Sequence, residues 1–302
     1  MEGADLHCHT KLSDGSLGID ELVMLAVKRG LSTIAITDHD CQAGAVRAKL
    51  LGSRNGLKVI PGVEVTADDN GKRVHILAYL VESPEKLEGI CYANSNARRT
   101  AGKVMMLKAM RLYPVSREQI IKCTQGSTNL YKQHIMHALM DCGFADSIYG
   151  DVYQRLFSAD SPDSILTVPK YADIENVLTT IKDAGGIAVL AHPYLYNNVP
   201  EIEKYIEMGL DGLEAWHPTA TAEQTENLLA IAKSNDLLVT GGSDFHGMYN
   251  RVRVTVGSCV TPPEYLNELL GYKAKCKRRA RRAEKEEVEQ SEKLKTAVLQ
   301  QA

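Results

Sequence analysis

Ala4-Asp5-Leu6-His7-Cys8-His9-Thr10 is a short apolar run that ends in a His-x-His pair. In extended backbone the side chains at i and i+2 share a face, so His7 and His9 can reach one point while Cys8 faces away. Working outward, the same figure recurs. Residues 33–37 run into Asp38-His39, residues 58–63 into Glu64, and residues 187–191 into His192. Residues 212–215 lead to Trp216-His217. Residues 237–240 lead to Gly242-Ser243-Asp244-Phe245-His246, where Asp244 and His246 repeat the i, i+2 spacing.

Helical patterns separate these runs. Ile19, Leu22, Val23, Ala26 and Val27 line one helical face, with Asp20 and Glu21 in the first turn and Gly30 as a stop. Ile174, Val177, Leu178 and Ile181 make another, closed by Gly185-Gly186. Repeated βα units predict an α/β fold with a parallel sheet or a (β/α) barrel. Barrel sites lie at the C-terminal ends of the strands, where most of these polar residues fall. A further strand over 73–79, preceded by the Asp69-Asn70-Gly71 turn signal, carries His75. From 95 to 169 the rhythm breaks into helices and loops. The expected organisation is therefore a barrel's first part over 1–94, a helical insertion over 95–169, the barrel's second part over 170–270 and a charged tail over 271–302.

The net charge of −3 hides an asymmetry: residues 271–302 carry +5, which leaves −8 on residues 1–270. An acidic body around a His/Asp/Glu cluster suits bound divalent cations and speaks against a general nucleic-acid surface. The tail reads as a solvated helix, with an RNA contact or a dimer contact as alternatives. Seven scattered cysteines with no CxxC argue against a disulfide framework. No signal-peptide pattern and no run of ~20 apolar residues is present, so a cytoplasmic protein without a membrane partner is expected.

Singly, each polar residue has a plainer use: His192 before Pro193 and His217 before Pro218 as turn residues, Asp38-His39 as a helix cap, His75 as a hydrogen-bonded buried ring. Gathered at the same end of successive strands, they read as a site. Mixed His and carboxylate donors suit Mn²⁺, Zn²⁺ or Fe²⁺, and the absence of a Cys cluster argues against a structural zinc site. The set exceeds what one ion can use, so two or three metals are implied, with a carboxylate such as Glu64 able to bridge.

Asp5-Leu6-His7-Cys8-His9-Thr10 with Ser13-Asp14-Gly15-Ser16 resembles the first motif of the PHP (polymerase and histidinol phosphatase) family. Ile36-Thr37-Asp38-His39-Asp40 resembles the second, and Pro61-Gly62-Val63-Glu64 with Val74-His75-Ile76-Leu77-Ala78-Tyr79 the third region. Ala191-His192-Pro193 and Gly242-Ser243-Asp244-Phe245-His246 resemble the last two. The resemblance implies a distorted (β/α)7 barrel whose di- or trinuclear metal centre hydrolyses phosphate esters by attack of a metal-bridging hydroxide. It implies His7, His9, Glu64 and Asp244 on one metal, Glu64, His75 and His192 on a second, and Asp14, His39 and His246 on a third.

The segment over 95–169 resembles the helical insertion of the stand-alone phosphoesterases. Leu130-Tyr131-Lys132-Gln133-His134-Ile135-Met136 is similar to their Arg-Pro-His-Ile-Ala stretch, with Lys132 in place of Arg and Gln133 in place of Pro. Lys is a point charge where Arg is a bidentate fork. Lys132, His134, His217 and Arg99 are the expected substrate-binding or catalytic residues, His217 as phosphate ligand or proton donor to the leaving group, and Arg98 beside Arg99 at the start of the insertion's first helix is a further candidate for the pocket. The resemblance implies a small phosphorylated substrate, a nucleoside 3′,5′-bisphosphate or a phosphoribose cyclic phosphate. Histidinol phosphate and short RNA cleaved from its 5′ end are the alternatives. An amidohydrolase also opens on His-x-His but needs a strand-end Lys, which is lacking here; a non-catalytic metal-binding module is the remaining reading.

Overall fold

Strand β1 (Ala4–Asp5) pairs in parallel with β2 (Thr33–Ile36), across helix α1 (Ile19–Lys28). The computed structural model describes residues 3–278, so most of the predicted charged tail, 279–302, lies outside the described residues. After β2 come α2 (Ala45–Arg54), β3 (Lys58–Asp69), β4 (Lys72–Tyr79), α3 (Glu88–Leu112), α4 (Arg117–Cys123), α5 (Lys132–Asp141) and α6 (Asp151–Phe157). Then follow β5 (Ala172–Asp173), α7 (Ile174–Asp183), β6 (Ile187–Leu190), α8 (Ile202–Glu207), β7 (Gly212–Trp216), α9 (Ala222–Ser234) and β8 (Leu238–Gly241). A helix over 263–278, α10, ends the described chain.

The sheet runs in the order β1-β2-β3-β4-β6-β7-β8, with β5 joined to β3. It curls until its two edges meet. Leu6 N donates to Gly241 O at 3.2 Å, and His9 N to Phe245 O at 2.9 Å. Gly242 is needed at this seam, because a Cβ there would lie 2.4 Å from both N and Cβ of His7. The result is a nearly closed seven-stranded barrel.

The sheet is not all parallel, as uniform βα repetition predicts. β4 runs antiparallel to both neighbours, β3 and β6. The cause is the Asp69-Asn70-Gly71 turn: Asn70 and Gly71 both have left-handed φ, 53° and 87°, and Gly71 N donates to Asp68 Oδ1 at 2.9 Å. Two successive left-handed residues make the tight hairpin that matches strand twist. β3 consequently runs on to Asp69, twice the expected length, and carries Glu64 mid-strand opposite Leu77.

Helices pad the barrel through their apolar stripes. In α7, Ile174, Val177, Leu178 and Ile181 are all buried, and the Asp173 side chain caps the helix by accepting from Glu175 N at 2.9 Å. Each such side chain contributes ~1.5–3 kcal/mol on burial, and the cap ~1 kcal/mol. Leu77, Tyr79, Val189 and Leu238 pack with Leu266 and Leu269 of α10, which closes the barrel end away from the site. The helices between β4 and β5 have their own apolar cluster, from Ala101 to Ile165, which draws only Tyr249 from elsewhere. The first of them starts at Glu88, ahead of the expected boundary at 94/95, and runs unbroken through it. No described helix is long and apolar enough to cross a membrane.

Candidate metal centre and substrate cavity

Each strand delivers its polar residue to the same barrel mouth. Cys8 packs outward against α1 and α2, and His7 and His9 turn inward, as the i, i+2 spacing predicts. Their Nε2 atoms are 3.1 Å apart. Glu64 Oε2 lies 3.4 Å from His7 Nε2 and 3.1 Å from His9 Nε2; Asp244 Oδ1 lies 3.4 and 3.2 Å from the same two atoms. Donors at metal–ligand distances of ~2.0–2.2 Å from a shared centre are spaced by about 3 Å, so this donor geometry fits a cation.

The other oxygen of Glu64 faces a second group, 2.7 Å from His75 Nδ1 and 3.0 Å from His192 Nε2. His39 Nδ1 approaches Glu64 Oε2 to 3.1 Å. A third group gathers on Asp14 Oδ1, with His246 Nε2 at 3.2 Å and His39 Nε2 at 3.9 Å. The ligand atoms of His9, Asp14, His39 and His246 all lie within 4.8 Å of one another, as do those of His39, Glu64 and His75. Asp14 Oδ1, His39 Nδ1, His75 Nδ1 and His192 Nδ1 are buried without a hydrogen bond despite these short approaches. Lone pairs that are close but misaligned for one another are arranged to share a cation, so the residues fit metal ions.

Electrostatics agree. Burial opposes ionisation of Glu64, yet the rings of His39, His75 and His7 hold its carboxyl well below the ordinary range. Asp14 and Asp244 are likewise held low against burial, Asp14 by His246 and His39, and Asp244 by His7 and His246. Burial pushes His75 down to about 4 and His39 well below its usual value, whereas, against burial, Glu214, Asp244 and Glu64 raise His7, and Asp244 and Glu64 raise His9 to about 10. Metals bind ionised carboxylates and neutral imidazoles, so a cation arriving here would take the place of the protons these rings and carboxylates share.

Backbone strain marks the same place. His192 and Asp244 adopt left-handed φ of 29° and 48°, as does Asp40 at 50°. Such conformations persist in non-glycine residues where surrounding contacts over-determine them. Glu214 Oε2 accepts from His192 N at 2.8 Å, and Asn250 Nδ2 donates to Asp244 O at 3.0 Å.

The structure gives supporting roles to residues that the sequence motifs contain without explaining. Asp38, beside the ligand-type His39, accepts from Thr10 N, Thr10 Oγ1 and Ser13 Oγ at 2.6–2.7 Å and so fixes the loop to Asp14. Asp5 accepts from Ser243 N and Gly257 N, tying the first strand to the last motif. Gln133 donates to Asp14 Oδ2 at 3.2 Å, so the residue that departs from the resembled motif has a use of its own.

A cavity of about 360 Å³ opens over the cluster. Lys132 and His217 line it, as expected. His217 Nε2 lies 3.3 Å from Asp244 Oδ2 and its Nδ1 2.7 Å from Thr219 Oγ1. Two expected residues do not line it. Arg99 is exposed, its guanidinium beside Thr128 O at 3.4 Å, because the neighbouring Arg98 takes the inward face of α3. His134 is buried under the α5 N-terminus, where its Nδ1 accepts from Tyr131 N at 3.2 Å. Arg73, Arg98 and Arg251 line the cavity instead, with Tyr149, Tyr153, Tyr171 and Tyr196. The Arg73 guanidinium sits over Tyr171 and Tyr196, and that of Arg251 over Tyr149 and Tyr153, at 5.2–5.8 Å from the ring centres.

The PHP domain family matches residues 5–186. The phosphoribosyl 1,2-cyclic phosphate 1,2-diphosphodiesterase of Eggerthella lenta is 34% identical over 253 residues, covering 82% of this chain and 95% of that protein. The 5′-3′ exoribonuclease Rnm of Escherichia coli is 30% identical over 251 residues, covering 80% and 84%. A crystal structure from Bifidobacterium adolescentis, labelled a candidate metal-dependent phosphoesterase, superimposes with a TM-score of 0.81 at 33% identity over 89% of this chain and 96% of that one. The chain belongs to the PHP family. It is a metal-dependent phosphoric ester hydrolase.

Proposed function

We propose that the substrate is a small metabolite with a second anionic group beside the phosphate ester that is cleaved, of the phosphoribose cyclic phosphate or nucleoside 3′,5′-bisphosphate type. The carrying observation is the trio Arg73, Lys132 and Arg251 in the cavity wall. Burial, with Arg73 and Arg251 nearby, pushes Lys132 down to about 8. Cations held close enough to penalise one another are relieved by a shared anion. The same trio disfavours histidinol phosphate, whose tail is cationic. A cavity of about 360 Å³ is at the small end for ligand sites and suits a phosphorylated pentose or a mononucleotide.

His7, His9, Glu64 and Asp244 are assigned to one cation, Glu64, His75 and His192 to a second, and Asp14, His39 and His246 to a third; two or three ions of manganese, zinc or iron suit such donors. When bound, the ions supply an activated water and neutralise phosphoryl oxygens. The protein's own groups do the rest. The Arg73–Lys132–Arg251 trio holds the distal anion and so sets the ester's position over the cluster. His217, steadied by Thr219, is poised to protonate the leaving alkoxide. Residues 95–169 act as a substrate cap, supplying Lys132, Tyr149 and Tyr153 to the cavity, whose tyrosine faces exclude water. A reducing cytoplasm fits the odd, scattered cysteines.

A phosphate-release screen with metal-analysed protein tests this, comparing a phosphoribose cyclic phosphate, a nucleoside 3′,5′-bisphosphate, short 5′-phosphorylated RNA and a neutral-tailed aryl phosphate. The doubly anionic small substrates should give the highest kcat/KM. Equal use of the aryl phosphate, or preference for RNA, overturns the substrate assignment.

A further inference from the structure

The α4–α5 pair carries a donor cluster outside the barrel. Cys123 ends α4, and His137 and Asp141 stand one turn apart on α5, where i and i+4 side chains share a face. A ligand atom from each of the three lies within 4.8 Å of the other two. His137 Nδ1 is 2.8 Å from the Tyr249 hydroxyl, which directs Nε2 toward Asp141 Oδ1 at 3.7 Å. That separation is too long for a hydrogen bond and close to the spacing of two ligands on one ion.

We propose that Cys123, His137 and Asp141 form a second metal site, distinct from the phosphoesterase centre, that takes one thiophilic divalent cation of the zinc class with water in the fourth position. The chemistry of the set favours this. A soft thiolate, a borderline imidazole and a hard carboxylate together suit zinc, and the hydrogen bond between His137 Nδ1 and the Tyr249 hydroxyl holds the ring with Nε2 toward the site. Competition is weak: among the described residues the hydrogen bond recorded for Cys123 Sγ is a long one, to Gln119 O at 3.5 Å. Access is open, because Asp141 is exposed at the rim. Burial and Asp141 push the Cys123 thiol up to about 11, so binding releases a proton and tightens as pH rises.

The site also has something to hold. Tyr249 lies three residues beyond His246, and the next residue, Asn250, accepts from His246 N and donates to Asp244 O. A cation on His137 therefore strengthens the link from α4 and α5 to the loop that presents Asp244 and His246.

Cobalt substitution tests the proposal on the full-length protein stripped by chelator. The barrel donors are nitrogen and oxygen, so a thiolate-to-cobalt charge-transfer band marks a cysteine site, and its loss in Cys123→Ser singles out this one among the free cysteines. The band should saturate at one Co²⁺ per chain beyond the barrel's complement and be displaced by Zn²⁺. Cys123→Ser should abolish it and lower bound cobalt by one ion per chain. Asp141→Asn, an exposed change that leaves folding intact, should weaken cobalt binding about tenfold. Both variants, chelated, should unfold at the wild-type temperature and show a smaller zinc-induced rise than wild type, the barrel ions alone contributing. No band in the wild-type protein, or a band that survives Cys123→Ser, overturns the site.

Discussion

Glu214 holds His7 from behind: its Oε1 lies 2.9 Å from His7 Nδ1, while its Oε2 accepts the backbone N–H of His192 at 2.8 Å. One carboxylate on β7 thus orients donors that follow β1 and β6. With Nδ1–H given to Glu214, His7 presents the Nε2 lone pair to the cluster. Burial opposes ionisation of Glu214, but His7 beside it keeps the carboxyl below its usual range.

Glu214→Gln should therefore act through the metals. Carboxylates behind ligand histidines are worth about 10–100-fold in metal affinity. The variant should lose metal on dialysis far faster than wild type and recover much of its turnover when metal is added back. Elemental analysis after dialysis decides it; wild-type metal retention would remove the positioning role.

Removing a donor should be more severe. Asp244→Asn or His9→Ala takes away a group within 3.4 Å of two other donors, so metal content should fall and phosphate release should vanish. Full metal occupancy with full turnover in either variant would refute the metal centre.

Lys132 should set a pH limit. Its ammonium is depressed to about 8, so the free enzyme holds the charge below that pH and loses it above. For a doubly anionic substrate kcat/KM should decline as pH rises through about 8, and Lys132→Arg should extend the plateau upward because Arg stays charged. Lys132→Ala should raise KM at neutral pH by roughly tenfold or more, a charged hydrogen bond being worth ~1.5–3 kcal/mol, and leave an aryl phosphate little changed. Equal shifts for both substrates would exclude Lys132 as the distal-anion ligand.

Asp40 and Arg98 form a buried pair, with Arg98 also donating to Thr66 Oγ1 and Asn94 Nδ2 donating to Asp40 Oδ1. Asp40→Ala leaves the guanidinium buried without its partner and should cost about 3–5 kcal/mol of stability. Asp40→Ala with Arg98→Met should recover most of that loss. Urea unfolding of the three variants measures it, and additive losses would show that the pair is not coupled.

The donors were legible in sequence because strand periodicity alone decides which way His7 and His9 point, and the barrel brings its strand ends together. The cationic trio was not. Arg73 reaches the cavity only because the hairpin after Asn70-Gly71 reverses β4, and Arg251 lies in a coil with no periodic pattern. Arg98 and Arg99 were both candidates for the inward face and only Arg98 takes it; one residue on a helix turns a side chain by about 100°, so without the true start of α3 at Glu88 the choice between them could not be fixed. His134 has a ligand's chemistry, but a backbone N–H at its own helix start claims its nitrogen. Glu214 sits inside a strand among apolar neighbours, and only its partners from β1 and β6 reveal its use.

The barrel's seam joins the chain's first strand to its last, with Leu6 and His9 on one side and Gly241 and Phe245 on the other. His7 and His9 therefore wait on one edge for Asp244 and His246 on the other. During synthesis the earliest donors leave the ribosome more than two hundred residues before their partners. A chain still being made offers only a partial ligand set, so tight metal capture becomes a late event, coincident with barrel closure.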